Sequence, residues 1–420
     1  DIVLFADELT PSETASISTE RIVGIVTRKG GFTGHWAIIA RSLGIPAISG
    51  IDWPDGISGI SEEVIVDGDE GKLILAPGPE ILSEYREKTA LRRDRKISSE
   101  TVVRIPSTKD GTEIELWGNI AAAGSAETAL ANGCTGIGLF RTEFLFMDRS
   151  APPTEEEQVK SYSAVLRTMM PYPVVARTLD AGGDKEIPYL KEFIGHEDNP
   201  FLGLRGLRLC LRNPSLLKTQ FRALLRSAVE GRLRVMLPMV TSIDELREAK
   251  KILSECADDL LEEGTAFSMP EMVGIMIEVP SAAVMARELA KEADFFSIGT
   301  NDLTQYTLAC DRLNTSVGYL YDHFHPANLR MIAIAAEAAA GKGIGLGICG
   351  EMGGDELAVP FLLGCGFREL SMIPALVPAV RERIGLTDMD DAKRIYSKAL
   401  EMASAIEVRS FLKKSESRPA

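Results

Sequence analysis

Phe295-Phe296-Ser297-Ile298-Gly299-Thr300-Asn301-Asp302 passes within a few residues from an apolar run to a polar turn. The run is short and near-continuously apolar, as expected of a parallel strand covered on both faces. The turn brings an amide and a carboxylate to the strand's C-terminal end. Seven further runs of the same kind lie around it: Ile114–Asn119, Gly136–Phe140, Val174–Thr178, Leu233–Met236, Val273–Ile277, Gly345–Ile348 and Glu369–Met372. Helical patterns alternate with them, among them Ile243–Ala257, Ala282–Lys291 and Leu329–Ala340. Eight strands alternating with helices over some 300 residues predict an α/β fold, a closed (β/α)8 TIM-type barrel. The alternative is an open doubly wound sheet, which is weakened because no G-x-G-x-x-G opens the first βα turn.

Outward from the barrel, residues 105–420 form this unit, residues 79–104 a linker helix and residues 1–78 a small separate domain. The small domain reads as short β runs (Ile2–Ala6, Val23–Thr27, Val64–Val66, Lys72–Leu75) between turn signals such as Asp67-Gly68-Asp69. One helix, about His35 to Leu43, is ended by Gly44 and Pro46. Glu80–Glu100 contains no Gly or Pro, is rich in Glu, Lys and Arg, and keeps Ile81, Leu82, Tyr85 and Thr89 on one face. That is a helical pattern rather than a tether. The chain opens at Asp1 directly on the apolar run Ile2-Val3-Leu4-Phe5, so a preceding segment is expected.

The 420 residues carry 46 basic and 61 acidic side chains, a net charge of −15. That acidity argues against nucleic acid as a partner, since affinity for a phosphate backbone comes from clustered Lys and Arg. With 45% hydrophobic and 25% charged residues the chain has a globular composition. No apolar run approaches the roughly 18 residues of a membrane span. No secretory leader is visible at the start. Cys134, Cys210, Cys256, Cys310, Cys349 and Cys365 are scattered and form no C-x-x-C pair. Buried thiols in a reducing, cytoplasmic compartment are expected.

Catalytic groups of such barrels come from the C-terminal strand ends and the loops beyond them. Those positions hold Arg141-Thr142-Glu143, Arg177, Glu278, Asn301 with Asp302, Arg312 and Cys349-Gly350-Glu351; Arg205 lies in the long segment between the third and fourth strands. Carboxylates at neighbouring strand ends suit Mg²⁺, which takes few protein ligands and completes its shell with water and phosphate oxygens. Arginines at the same mouth suit a phosphate and a carboxylate. A small, doubly anionic, phosphorylated substrate follows; the competing account is that the mouth charges simply pair with one another. Cys349 is either packing or a proton donor, and its position alone leaves both open.

His35 stands in Gly30-Gly31-Phe32-Thr33-Gly34-His35, where a helix begins. Glycines allow close backbone approach, and a helix N-terminus stabilises phosphate. A histidine there is either structural or a phosphoryl-accepting nucleophile. His323 and His325, spaced H-x-H without an evident third ligand, read as structural.

Taken together these stretches resemble enzyme I of the bacterial sugar phosphotransferase system, within the phosphoenolpyruvate (PEP)-utilising enzymes. The resemblance rests on Gly30–His35 with Ala40-Arg41-Ser42-Leu43-Gly44-Ile45-Pro46-Ala47, on Gly138–Phe144 with Pro153-Thr154-Glu155-Glu156-Glu157, and on Arg177-Thr178-Leu179-Asp180-Ala181-Gly182-Gly183-Asp184-Lys185. Gly299–Tyr306 and Cys349-Gly350-Glu351 complete it in the family order. The resemblance implies a swivelling phosphohistidine domain at residues 1–78 and a PEP-binding barrel at 105–420. It implies that Glu278 and Asp302 hold Mg²⁺, and that Arg141, Arg177, Arg205, Arg312 and Asn301 grip PEP. It further implies that His35 accepts the phosphoryl group and that Cys349 protonates the enolate to pyruvate. A histidine-containing phosphocarrier protein is the implied acceptor, and a homodimer through the barrel the implied assembly. Enzyme I also carries a helical module that docks the carrier, which has no counterpart in these 420 residues. Phe32, Gly34 and Trp36 replace a cation, a hydroxyl and a small residue of the usual motif, which predicts a weaker phosphate cradle.

Two other readings fit the same residues. Pyruvate phosphate dikinase and PEP synthase share the histidine domain and barrel but add a nucleotide-binding domain. A non-catalytic regulator that binds PEP would be expected to lack a metal ligand or the histidine.

Overall fold

A computed structural model of the chain describes residues 2–7, 9, 21–29, 40, 45–53, 63–68, 70–97, 105–147, 149–183, 187–314 and 316–416. Two compact units divide at Thr101 and Val102.

In the first unit, strands β1 (Ile2–Ala6), β2 (Ile22–Thr27) and β3 (Ala47–Ser49) form a parallel sheet in that order, and β4 (Val64–Asp67) pairs antiparallel with β5 (Lys72–Leu75). Turn chemistry fixes the hairpin: Asp67 Oδ1 accepts from the Glu70 N–H at 3.0 Å. β3 has only three residues and no expected counterpart in the sequence reading. Helix Pro79–Ile97 follows, opened by a proline at its first position, where a missing N–H costs nothing. Its Tyr85 hydroxyl donates to Asp67 Oδ2 at 2.9 Å.

The second unit is a closed, all-parallel eight-stranded barrel: β6 (Glu115–Ile120), β7 (Ile137–Arg141), β8 (Val174–Arg177), β9 (Leu233–Leu237), β10 (Met272–Ile277), β11 (Phe295–Ile298), β12 (Gly345–Ile348) and β13 (Glu369–Met372), with β13 pairing back to β6. All eight expected strands are present, shifted by at most a residue or two at their ends. Helices surround them. Ile243–Glu262 starts at a capping box in which Ser242 and Glu245 satisfy each other's backbone amides. Pro326–Lys342 starts at His325, whose Nδ1 accepts from the Ala327 N–H at 3.2 Å. The expected helix Ala282–Lys291 is two short pieces, Pro280–Val284 and Ala286–Leu289, broken at Met285.

Side chains alternate along each strand. Leu116, Phe140, Ala176, Val235, Ile275, Phe296, Ile348 and Leu370 belong to the large apolar cluster shared with the helices. Their strand neighbours Trp117, Leu139, Val175, Met236, Met276 and Phe295, with Cys349, form a second cluster filling the barrel interior. Trp117 is fully buried there, and Gly136 makes room for it, since a Cβ at that glycine would lie 2.7 Å from the indole ring.

Candidate active site

The same alternation builds the site. With Trp117, Leu139, Val175, Met276 and Phe295 facing inward, the residues two further along face inward too. These are Asn119, Arg141, Arg177, Glu278 and, counted twice over from Phe295, Gly299; Cys349 follows the outward Ile348. Strand parity therefore gathers two arginines, a carboxylate, an amide and a thiol at one barrel end. Gly299 occupies its inward position without a side chain. A Cβ there would meet Glu278 Cβ at 2.9 Å and Oε2 at 3.0 Å.

Loops add the rest, and the charges alternate in sign. Arg177 Nη2 donates to Glu143 Oε1 at 2.6 Å, and its Nη1 lies 3.1 Å from Asp180 Oδ2. Arg205 Nη2 reaches both oxygens of Asp180 at 3.2 Å, while Nη1 reaches Asp302 Oδ1 at 3.2 Å and the Tyr306 hydroxyl at 3.1 Å. Arg312 Nη1 approaches Asp302 Oδ1 at 3.7 Å. Arg205 is only 1% exposed, yet its charge survives burial because Asp180 and Asp302 hold its pKa well above the ordinary value. Arg141 differs from the other three. It is half-buried, and among the described residues its side chain makes no hydrogen bond or ion pair. Mutual pairing thus accounts for Arg177, Arg205 and Arg312 in this state but not for Arg141.

The two expected metal carboxylates follow adjacent strands, β10 and β11, which pair at Ile277 and Ile298. Glu278 is buried, and its Oε1 accepts from the Met239 N–H at 2.7 Å. Burial, and after it the charges of Asp302 and Asp180, push its carboxyl up to about 8. A divalent cation between these oxygens would reverse that repulsion, so the donor set fits a hard ion held by few protein ligands. Among the described residues no group of three or more His, Cys, Asp or Glu forms a complete metal cage.

Cys349 is buried, its Sγ 3.8 Å from the Ile298 carbonyl. Burial pushes its thiol up to about 11, against the lowering pull of Ser297 and Arg177. At neutral pH it is therefore a protonated acid. Asn119 Nδ2 donates to the Cys349 carbonyl at 2.9 Å and holds this strand end in place. Asn301 Oδ1 accepts from the Glu351 N–H at 3.0 Å, tying the loop after β11 to the loop after β12.

His35 and the expected helix, apart from Ala40, which is helical and buried, lie outside the described residues. Asp180 and Glu143, which carry no assigned role in the sequence reading, are the carboxylates that orient Arg177 and Arg205. Both stand inside the quoted stretches, and their spacing of two or three residues from an arginine was the available signal. The Pro153–Glu157 stretch serves as a helix cap. Thr154 Oγ1 accepts from the Glu157 N–H at 3.3 Å, Glu157 Oε2 accepts from the Thr154 N–H at 2.8 Å, and Glu155 binds Arg222 and Arg226 at 2.7 Å each. His323 pairs with Asp355 at 3.1 Å, and His325 caps its helix, both structural as expected.

Comparison with known proteins gives the family. Residues 96–389 match the model of the PEP-utilising enzyme PEP-binding domain, and residues 1–71 that of the PEP-utilising enzyme mobile domain. The chain is 46% identical over 415 residues to the phosphoenolpyruvate-protein phosphotransferase of Bacillus sp. (strain S), covering 99% of this chain and 72% of that protein. It is 45% identical over 414 residues to that of Bacillus subtilis, covering 98% and 72%. For the protein of the same name from Staphylococcus carnosus the identity is 44%, with 97% and 71% covered. The chain belongs to the PEP-utilising enzymes, among the phosphoenolpyruvate-protein phosphotransferases.

Proposed function

We propose that the chain moves the phosphoryl group of PEP to its own His35, releases pyruvate, and passes the group on to a histidine-containing phosphocarrier protein. The observation that carries this reading is the gathering of Arg141, Arg177, Glu278 and Cys349 on the inward face of one barrel end. Arg141, whose side chain makes no hydrogen bond or ion pair among the described residues, meets an anionic group of the substrate. Arg177, Arg205 and Arg312 exchange part of their carboxylate contacts for substrate oxygens, with Asn301 beside them. Glu278 and Asp302 would hold Mg²⁺, which would neutralise charge on the transferring group.

A ring nitrogen of His35 attacks phosphorus, and the bond from phosphorus to the enol oxygen breaks. The electron pair stays with the pyruvate enolate. Cys349, protonated at neutral pH, delivers its proton to the enolate carbon, and the thiolate regains one from solvent. The reaction requires His35 to meet the barrel mouth and leave it again, with helix Pro79–Ile97 as the connection between the units. A homodimer through the barrel and a cytoplasmic setting belong to the same reading.

Incubation with PEP labelled in its phosphoryl group tests it. Label should appear on His35 by mass spectrometry and vanish in His35→Ala. Undiminished labelling of that variant rejects the assignment.

A further inference from the structure

Behind the mouth, on the side away from the substrate face of the strands, lies a polar chain that no step above uses. Gln220 sits in the middle of helix Pro214–Ser227, at 1% exposure. Its Oε1 accepts from the Leu179 N–H at 2.8 Å. Its Nε2 donates to Thr142 Oγ1 at 3.0 Å and to the Tyr162 hydroxyl at 3.0 Å. Thr142 Oγ1 in turn donates to the Arg177 carbonyl at 2.7 Å. Tyr162 donates onward to Gln158 Oε1 at 2.9 Å, and Gln158 Nε2 to the Pro153 carbonyl at 3.1 Å.

A glutamine side chain has two N–H groups and one carbonyl oxygen. All three are engaged, in a buried place where each unmade bond is costly. Two of the three partners lie in the arginine-bearing loops. Thr142 sits between Arg141 and Glu143, and Leu179 between Arg177 and Asp180. One buried amide therefore fixes the backbone of two strand ends relative to each other, and with it the spacing of Arg141 and Arg177.

We propose that Gln220 is a positioning residue for PEP binding, acting through Thr142 and Leu179 to hold Arg141 and Arg177 at the separation the substrate needs. This rests on the reading of the barrel mouth as a PEP site. Gln158 provides the control, since it joins the network through Tyr162 and the Pro153 carbonyl and bonds neither Thr142 nor Leu179.

The test is made on the full chain with Mg²⁺ present, measuring the Kd of PEP, KM, kcat and Tm. Gln220→Leu should raise Kd and KM together by about 10- to 100-fold, the scale of a misplaced binding group, with a smaller fall in kcat. Gln158→Leu should lower Tm comparably and leave Kd within about twofold. Thr142→Val cuts the same clamp from the loop side and should reproduce the loss, so the test stands even where Gln220→Leu does not fold. Wild-type Kd in Gln220→Leu or Thr142→Val overturns the role of Gln220 alone. So does a Gln158→Leu variant as impaired in Kd as Gln220→Leu. A wild-type chain that does not bind PEP overturns the reading of the mouth as well.

Discussion

The Met239 amide donates to Glu278 Oε1 at 2.7 Å from a left-handed backbone, φ 57°. A non-glycine residue held there costs on the order of 1–3 kcal/mol and persists only where its surroundings over-determine it. The bond fixes one carboxylate oxygen and leaves Oε2 over Gly299 for a second partner.

Glu278→Gln keeps an oxygen for the Met239 amide and removes a charge that burial, Asp302 and Asp180 all oppose. The variant should fold with a Tm no lower than wild type in the absence of Mg²⁺, and should lose Mg²⁺-dependent pyruvate formation. Asp302→Ala should lose the same activity with a clear drop in Tm, because Arg205 then loses one of its two ion pairs among the described residues while staying buried. Melting curves and a Mg²⁺ titration of turnover check both. Normal metal dependence in either variant would show that the ligand pair is wrong.

Cys349→Ala distinguishes an acid from a filler. As the proton donor, the thiol pushed up to about 11 supplies a proton across the neutral range. Its loss should slow pyruvate formation about 10²–10⁴-fold while PEP affinity and Mg²⁺ affinity hold. A variant with near-normal turnover and a lowered Tm would make Cys349 a packing residue.

Glu369 lies at the opposite end of β13 from the mouth, and burial pushes its carboxyl up from the usual 4.5 to about 8 despite Arg234 at 3.7 Å. The folded state thus holds this proton more tightly than the unfolded chain does. Its contribution to stability is full below about 4.5 and is lost as pH rises through about 8. Glu369→Gln should leave Tm near wild type at pH 4.5 and raise it relative to wild type at pH 8.5. Parallel Tm–pH curves for the two proteins would refute the assignment.

Thr154→Ala removes the oxygen that accepts the Glu157 N–H. The expected cost is about 0.5–2 kcal/mol of stability, the usual range for a lost cap. Denaturant unfolding measures it, and PEP kinetics at 25 °C should not change, since no bond of the cap reaches an arginine of the mouth. A fall in kcat/KM would give this stretch a direct part in the chemistry.

Most of the barrel was legible because its strands are apolar on both sides, so Phe295–Ile298 or Val174–Arg177 admits few other readings. The mouth residues followed from strand ends and from family stretches. What remained hidden is relational. Arg205 meets Asp302 across 97 residues and Gln220 meets Thr142 across 78, and no local pattern announces such partners. Gln220 stands in an ordinary amphipathic helix, where one polar residue on the inner face looks like an irregularity. Ala47–Ser49 escaped because three residues are too short for a period to show. Thr154-Glu155-Glu156-Glu157 was legible as a family mark before it was legible as a cap.

The barrel closes where Ser371 Oγ donates to Asn119 Oδ1 at 2.6 Å, between residues 252 positions apart, and the same Asn119 holds the Cys349 carbonyl. A chain emerging from the ribosome can complete its first unit early, but its second unit stays an open sheet with two bare edges until β13 has been made. Contacts so remote in sequence carry a large loop-closure penalty and slow folding. The interval exposes apolar strands that neighbours on other chains can capture. For this protein the vulnerable moment is the interval before Glu369–Met372 has been made, and truncations that remove this strand should yield aggregates before they yield weak enzymes.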